Sequence, residues 1–119
     1  MNKVNISEKL NLINEYWKPK IIGELNGQQI RIVKIKGEFI FHEHDQEDEF
    51  FMVIKGILKM ELKDKVIELK EGECIIIPKG ILHKPVAEKE AHLLLFEPAT
   101  VLNTGNIRNE LTVESPDRI

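Results

Sequence analysis

Four residues of types that bind metal ions stand at spacings that one folded domain could bring together: His42, His44, Glu49 and His83. His42 and His44 are two positions apart, and side chains two apart on a β-strand point to the same face. Glu49 follows the polar turn 45–48, so a hairpin could fold its carboxylate back toward both imidazoles. Three imidazoles and one carboxylate are donors that suit Zn, Ni, Fe, Mn, Co or Cu. The pattern predicts one divalent transition metal bound by these four residues.

The alternative for each of these residues is an ordinary surface or core position. A single histidine is more often such a residue than a metal ligand, and the acidic residues at 43, 45, 47 and 48 are most simply a solvated turn. This alternative explains the set of four less well than it explains each residue alone, because strand alternation and turn placement agree across two separated segments. Without a metal, burying an ionised carboxylate beside three imidazoles would cost on the order of several kcal/mol. The set as a whole therefore favours a metal site.

A short helix is predicted at the start of the chain, over residues 5–17. Asn5 is a plausible N-cap, with Glu8 three positions later at the spacing of a capping box. Apolar residues then recur at steps of three or four, which gives one buried stripe, and Pro19 ends the helix. Tyr16 and Trp17 are expected to cover the end of the domain or an interface.

The rest of the chain has the rhythm of short strands and turns. Strands are predicted at 29–36, 38–44, 49–55, 57–62, 66–69, 74–77, 82–85 and 92–97, with a weak one at 111–113. No long second helix interleaves them, which excludes a parallel α/β sheet. Eight short strands would form an antiparallel barrel or a double-sheet jelly roll. The prediction is an all-β domain spanning residues 1–119, with its core at about 21–98 and an extension at 99–119.

Composition excludes several classes of function. The chain has 119 residues and a formal charge of -3, so no basic surface argues for nucleic acid or an anionic membrane as a partner. No window is long and apolar enough for a membrane span, and no signal region precedes the domain. Cys74 is the only cysteine, cannot form an internal disulfide, and is expected to be a small buried hydrophobe. We expect a soluble, cytoplasmic protein.

Two segments of the chain resemble the two motifs of the cupin family. The matching residues are Gly37, His42, His44, Glu49 and Gly56 in the first segment, and Gly72, Pro78, Gly80 and His83 in the second. The resemblance covers about residues 17–112 and implies a single-domain jelly-roll barrel. It also implies that His42, His44, Glu49 and His83 are the metal ligands.

The match to the cupin motifs has two departures, neither at a ligand. Gly37 stands one residue closer to His42 than in the commonest pattern, and Ala87 occupies a place where asparagine is frequent. The segments 96–98 and 103–105 are similar to small stand-alone cupins labelled mannose-6-phosphate-isomerase-like. The chain is far shorter than the multidomain phosphomannose isomerases, so this label does not indicate an activity.

Other residues have weaker indications. Phe51 shares the face of Glu49 by strand parity and is expected either to wall a substrate pocket or to pack in the core. His92 lies in an apolar strand and is either an ordinary buried or surface histidine or a further polar group in the pocket. Glu49 could also accept a proton during catalysis.

Three functions are compatible with such a site. The first is a metal-dependent enzyme, of oxygenase, isomerase or decarboxylase type, acting on a small polar molecule; four protein ligands leave an octahedral ion two open positions. The second is a non-catalytic module that binds a sugar, an acid or another small molecule. The third is a scaffold with a structural metal. A homodimer is expected, because small stand-alone cupins commonly pair.

Overall fold

The computed structural model describes residues 1–119 and contains one short helix and seven strands. Helix α1 spans Ile6–Leu10. The strands are β1 Lys20–Leu25, β2 Gln28–Glu38, β3 Glu49–Lys55, β4 Leu58–Leu62, β5 Val66–Leu69, β6 Cys74–Ile77 and β7 His83–Pro98.

The long strand β7 connects the two halves of the sheet. All strand pairings are antiparallel, and the main order is β1-β2-β7-β3-β6. Residues 83–86 of β7 pair with β4, which also pairs with β5, whereas residues 92–96 lie between β2 and β3. The architecture is the predicted all-β jelly roll, with seven strands instead of eight.

The core lies on the inner face of the long strands, where apolar side chains alternate with partly exposed ones. In β7, for example, Leu93 and Leu95 are buried while Leu94 and Phe96 are only partly so. The same alternation supplies the other inner residues, Val33 and Ile35 in β2, Phe51 and Val53 in β3, and Leu58 and Met60 in β4. Five of these side chains also line a cavity beside two of the predicted metal ligands: Val33, Ile35, Phe51, Leu93 and Leu95.

The N-terminal helix is shorter than predicted. Asn5 is its N-cap as expected, with Oδ1 accepting the N–H of Glu8 at 2.9 Å. After Leu10 the bonds tighten to i→i−3, with the N–H of Ile13 donating to the Leu10 carbonyl at 3.0 Å, and the helix stops. The prediction of a helix reaching residue 17 is therefore wrong. The apolar stripe persists, because Leu10 and Ile13 still pack on Ile32 of β2.

The prediction of a strand over residues 38–44 is also wrong beyond Glu38. The pairing of β2 with β7 shifts register between Ile35 and Gly37, where Gly37 adopts φ +84°, and the chain leaves the ladder after the pair formed by Glu38. Only one bridge survives in this segment, between His42 and His83. Conversely, the edge strand β1 was not predicted, since a register shift between Ile21 and Gly23 breaks its alternation.

The chain ends pack against the sheet. Ile21 of β1 bridges to Arg118, and the N–H of Ile119 donates to the Ile21 carbonyl at 3.1 Å. Residues 111–113 are not a strand; instead the side-chain amide of Asn103 bonds the Leu111 carbonyl and the Val113 N–H, each at 2.8 Å.

Two further findings concern residues outside the core. Cys74 lies exposed on the edge strand β6, contrary to the expectation that it is buried, because the inner face of β6 is formed by Ile75 and Ile77. The one helix has five residues, and no helix of the structure is long and apolar enough to cross a lipid bilayer.

Candidate metal centre

The structure brings the four predicted ligands together. One donor atom from each of His42, His44, Glu49 and His83 lies within 4.8 Å of the other three. All four side chains are buried, and none is more than 4% exposed. They come from the segment between β2 and β3, from the first residue of β3 and from the first residue of β7. The arrangement is able to bind one metal ion.

Hydrogen bonds fix His42 and His83 against each other. Each backbone N–H donates to the carbonyl of the other residue at 3.0 Å. Each imidazole also places Nδ1 beside a carbonyl two residues earlier, at 2.9 Å from Ile40 and 2.8 Å from Ile81. Because a carbonyl oxygen only accepts, Nδ1 carries the proton and Nε2 of the neutral ring keeps its lone pair. Both rings are thus preset to offer Nε2 to a metal.

His44 and Glu49 supply the test of whether a metal fits. Nε2 of His44 lies 2.7 Å from Oε1 of Glu49, and Nε2 of His83 lies 3.2 Å from the same oxygen. Nevertheless, the buried Nε2 of His44 is not aligned for a hydrogen bond and has no partner. Buried polar atoms are rarely left unpaired in folded proteins. An unpaired imidazole nitrogen this close to a carboxylate oxygen fits a cation that both atoms would bind.

The protonation states of the site agree with metal binding. Burial and the neighbouring His83 lower the pKa of His42 from 6.5 to about 4, so this ring is neutral at about pH 7. Burial alone would raise the pKa of Glu49, but the close approach of His44 and His83 holds it well below the ordinary value. A metal requires neutral imidazoles and an ionised carboxylate. The low pKa also makes Glu49 a weak base, which argues for a ligand role over the predicted role as proton acceptor.

A small and mainly apolar cavity of about 40 Å³ adjoins the ligands. His42 and Glu49 form part of its polar wall. Its apolar wall comes from the inner faces of the strands, from Phe39 directly after β2 and from two residues that precede β1. The lining side chains are Trp17, Pro19, Val33, Ile35, Phe39, Phe51, Pro85, Leu93 and Leu95. A single water needs about 10–15 Å³ of such space. The cavity therefore has room for about three or four waters or a comparably small ligand group.

A buried ion pair that was not among the predicted site residues continues this wall. Nη1 of Arg31 donates to Oε1 of Glu97 at 3.1 Å, and each side chain is 1% exposed. The remaining Arg31 donors bond Gln29 Oε1 and the carbonyls of Ala99 and Val101. Oε2 of Glu97 has no partner, and burial together with the nearby Glu49 carboxylate raises the pKa of Glu97 well above its usual range.

The sequence does contain a signal for this pair. Glu97 is in phase with the inner residues Leu93 and Leu95, and Arg31 is in phase with Val33. A charge in each of two apolar rows, on strands that are neighbours, predicts a buried pair of opposite charges.

The segment 99–107 closes the site on the side of His42 and His44. The backbone N–H of Asn106 donates to the Glu43 carbonyl at 3.0 Å, and Oδ1 of Asn106 accepts the Glu43 N–H at 3.1 Å. Gly105, at φ +58°, sits so close that a Cβ there would lie 2.2 Å from the Glu43 carbonyl oxygen and 3.1 Å from Cδ2 of His42. This segment can take its position only with glycine at residue 105.

The structure separates the other residues singled out in the sequence. Phe51 lines the cavity with the ligands and also belongs to the core cluster, and its role in a substrate pocket stays a prediction. His92 does not line the cavity: it alternates with the inner residues of β7 and lies on the opposite face, where Nε2 is 2.7 Å from Oε2 of Glu90. Tyr16 is exposed and donates to Glu90, whereas Trp17 covers the cavity.

Comparisons with solved structures agree with this fold. The chain is 42% identical to a cupin-2 domain protein from Shewanella frigidimarina, with a TM-score of 0.79 and coverage of 80% of this chain and 93% of that one. Hydroquinone 1,2-dioxygenase from Sphingomonas sp. TTNP3, with 4-hydroxybenzoate bound, shares 17% identity and a TM-score of 0.74 over 82% of this chain and 32% of that one, which shows the fold alone.

Sequence relatives lead to the same family. The uncharacterized protein YdbB of Bacillus subtilis is 38% identical over 64 residues, 53% of this chain, and the match spans only 57% of that relative's length. The family model described as the cupin domain matches residues 30–97, more than half of the chain and most of the strands that carry the site. The chain belongs to the cupin family.

Proposed function

We propose that this protein is a metal-dependent enzyme of oxygenase, isomerase or decarboxylase type that converts a small molecule with a polar, metal-binding end. The observation that carries the proposal is the buried set of three imidazoles and one carboxylate opening onto a cavity. A structural metal site is usually closed by its ligands, whereas a catalytic site keeps open positions next to a pocket. A cytoplasmic location belongs to the proposal and is supported by the single, unpaired Cys74.

The chain's own residues have distinct tasks in this proposal. His42, His44, Glu49 and His83 would hold one divalent transition metal, which supplies Lewis-acid or redox chemistry when bound. The carbonyls of Ile40 and Ile81 keep two of the rings in the metal-binding tautomer. The apolar wall excludes water and limits the substrate to a small molecule with an apolar part.

A second candidate is a binding module that holds such a molecule without converting it. The same ligand set and cavity would serve this candidate. Neither candidate depends on the identity of the metal, which the donor set leaves open among Zn, Ni, Fe, Mn, Co and Cu.

The test is a comparison of metal content and turnover in two single variants. We expect His44→Ala to lose stoichiometric metal while keeping a β-rich far-UV circular dichroism spectrum, since its side chain is a ligand and the core stays intact. His92→Ala is the matched control, because it removes the same side chain from the outer face and should retain the metal. Elemental analysis of protein purified without an affinity tag or chelator measures both.

Turnover then separates the candidates. Metal-loaded protein is incubated aerobically with panels of keto acids, phenolics, thiols and sugar phosphates, and products and dioxygen uptake are recorded. Conversion by the wild type and by His92→Ala, but not by His44→Ala, would support the enzyme. Binding of panel members without conversion of any of them would support the module, and full metal content in His44→Ala would overturn the site itself.

A further inference from the structure

Trp17 is held over the cavity in an unusual conformation. It is one of two non-glycine residues with positive φ, at +64°, a region that bulky side chains rarely adopt. Three interactions keep it there: its backbone N–H donates to the Lys34 carbonyl at 2.9 Å, its indole N–H donates to the Lys36 carbonyl at 3.0 Å, and its ring stacks on Phe39 with centroids 4.9 Å apart. Strained backbone that is held by specific contacts is a common feature of switch and clamp positions.

The same residue separates the metal cavity from a groove on the surface. Trp17 and Pro19 line the inner cavity, and both also line an outer groove of about 340 Å³. The groove runs between the segment 15–20 and the C-terminal residues 110–117. Trp17 and Pro19 are the only residues that line both spaces, so the indole is the movable part of the wall between the groove and the cavity.

The opposite side of the site carries a separate surface pocket of about 280 Å³, which is lined in part by His44 but shares no lining residue with the inner cavity. There Asn106 of the segment 99–107 makes one hydrogen bond to the backbone carbonyl of Glu43 and one to its backbone N–H. Gly105 packs directly against the same carbonyl. Opening that side would require a whole segment to move. Opening the Trp17 side requires one side chain to leave one stacking contact and one hydrogen bond.

We propose that Trp17 is the gate of the metal cavity, and that metal ions and small ligands reach the site from the groove between residues 15–20 and 110–117. This inference rests on the metal site proposed above. A gate controls the rate of passage in both directions and leaves the equilibrium untouched, because it contributes no ligand to the bound state. Trp17 stacks on Phe39, and the Phe39 ring in turn contacts the ring of His42 edge to face. When the gate is closed, Trp17 therefore completes the cavity wall beside this ligand.

The experiment measures the two rates of metal exchange separately. Co²⁺ is the probe, since its visible absorption reports binding in variants that lack the only tryptophan of the chain. Uptake is followed after rapid mixing, and release is followed after addition of excess chelator. Trp17→Gly removes the indole and tolerates the positive φ. Tyr16→Phe is the control, since Tyr16 lines the groove but not the cavity.

We expect Trp17→Gly to speed uptake and release by tenfold or more, with the ratio of the two rates unchanged within about twofold, and Tyr16→Phe to match the wild type. Trp17→Phe keeps an aromatic ring but loses the hydrogen bond to Lys36, so a smaller acceleration of both rates is expected. This variant provides the measurement if Trp17→Gly does not fold.

Unchanged rates of uptake and release in Trp17→Gly would overturn the gate. Faster release alone, with weaker binding, would overturn it as well, since Trp17 would then support the site structurally. Failure of the wild type to bind Co²⁺ would instead contradict the proposed metal site.

Discussion

At the scale of single residues, the site is defined by carbonyl oxygens as much as by its ligands. Ile40 and Ile81 are apolar residues with no chemistry of their own, yet their carbonyls fix the proton on Nδ1 of His42 and His83. The lone pairs of both rings then face the same point as the Glu49 carboxylate. Preset ligands reduce the reorganisation that metal binding would otherwise require.

The depressed pKa of His42 has a consequence for the metal-free protein. The unfolded chain binds a proton at this residue below pH 6.5, whereas burial prevents the folded chain from doing so until the pH is about 4. The free energy of unfolding therefore falls as the pH drops through this window. The contribution of His42 amounts to about 2–3 kcal/mol between about pH 7 and about pH 4.5.

Denaturant unfolding of chelator-treated protein at these two pH values checks this prediction. The loss of stability on acidification should be smaller in His42→Gln than in the wild type by about 2–3 kcal/mol. His92→Gln serves as the control, because His92 is only partly buried on the outer face. An equal loss in the wild type and His42→Gln would contradict the assigned cause.

At the scale of elements, the two-residue alternation of strand side chains predicted which residues would meet at the site. Tertiary contacts determined the backbone path that brings them there. His42 and His44 point inward as the two-residue period indicates, although residues 39–44 are not a regular strand. The chain leaves the ladder after Glu38, and beyond that point the segment's one bridge is between His42 and His83. Periodicity is local, so it cannot reveal a register shift set by a partner strand.

The contribution of the two segments outside the strands could not be predicted in this way. Asn106 bonds Glu43 across 63 positions of sequence, and Trp17 lies against Phe39 after a helix that ends early. Such contacts depend on loop geometry that no periodic pattern encodes. The Arg31–Glu97 pair differs, since both charges are in phase with buried residues and were accessible to sequence reasoning.

The segment 99–107 should be sensitive to one methyl group. Gly105→Ala places a Cβ against the Glu43 carbonyl and Cδ2 of His42, so the segment or His42 must shift. Left-handed backbone for a non-glycine residue costs about 1–2 kcal/mol by itself. We expect a loss of stability beyond that amount and weaker metal binding, measured by thermal unfolding and by Co²⁺ titration.

A matched glycine separates strain from contact in that experiment. Gly72 has φ +81°, but a Cβ added there would meet no atom within 4 Å, so Gly72→Ala carries the backbone strain alone. Gly72→Ala should lose only the stability that left-handed backbone costs a non-glycine residue, about 1–2 kcal/mol, and should bind Co²⁺ as the wild type does. Equal behaviour of the two variants would show that Gly105 does not position His42.

At the scale of the whole molecule, one outer face of the sheet remains apolar. Helix α1 covers Ile32 and its neighbours, but the outer residues farther along the sheet have no such cover. Phe50 of β3 pairs on one side with Ile76 of β6 and on the other with Phe96 of β7, so the three side chains share this face. Ile76 is 63% exposed, and β6 is an edge strand with a free side. Exposed apolar patches next to an unpaired edge are typical of protein interfaces.

We therefore expect a homodimer that buries this face. Ile76→Lys places a charge on the most exposed side chain of the patch, at the edge strand, and desolvating that charge would oppose association. Sedimentation velocity at micromolar concentration should show a dimer for the wild type and a monomer for Ile76→Lys. Val66→Lys is the matched control, since Val66 is 56% exposed on β5 and does not belong to the patch, so this variant should remain dimeric. A monomeric wild type would contradict the interface, whereas a dimeric Ile76→Lys would place the contact on another surface.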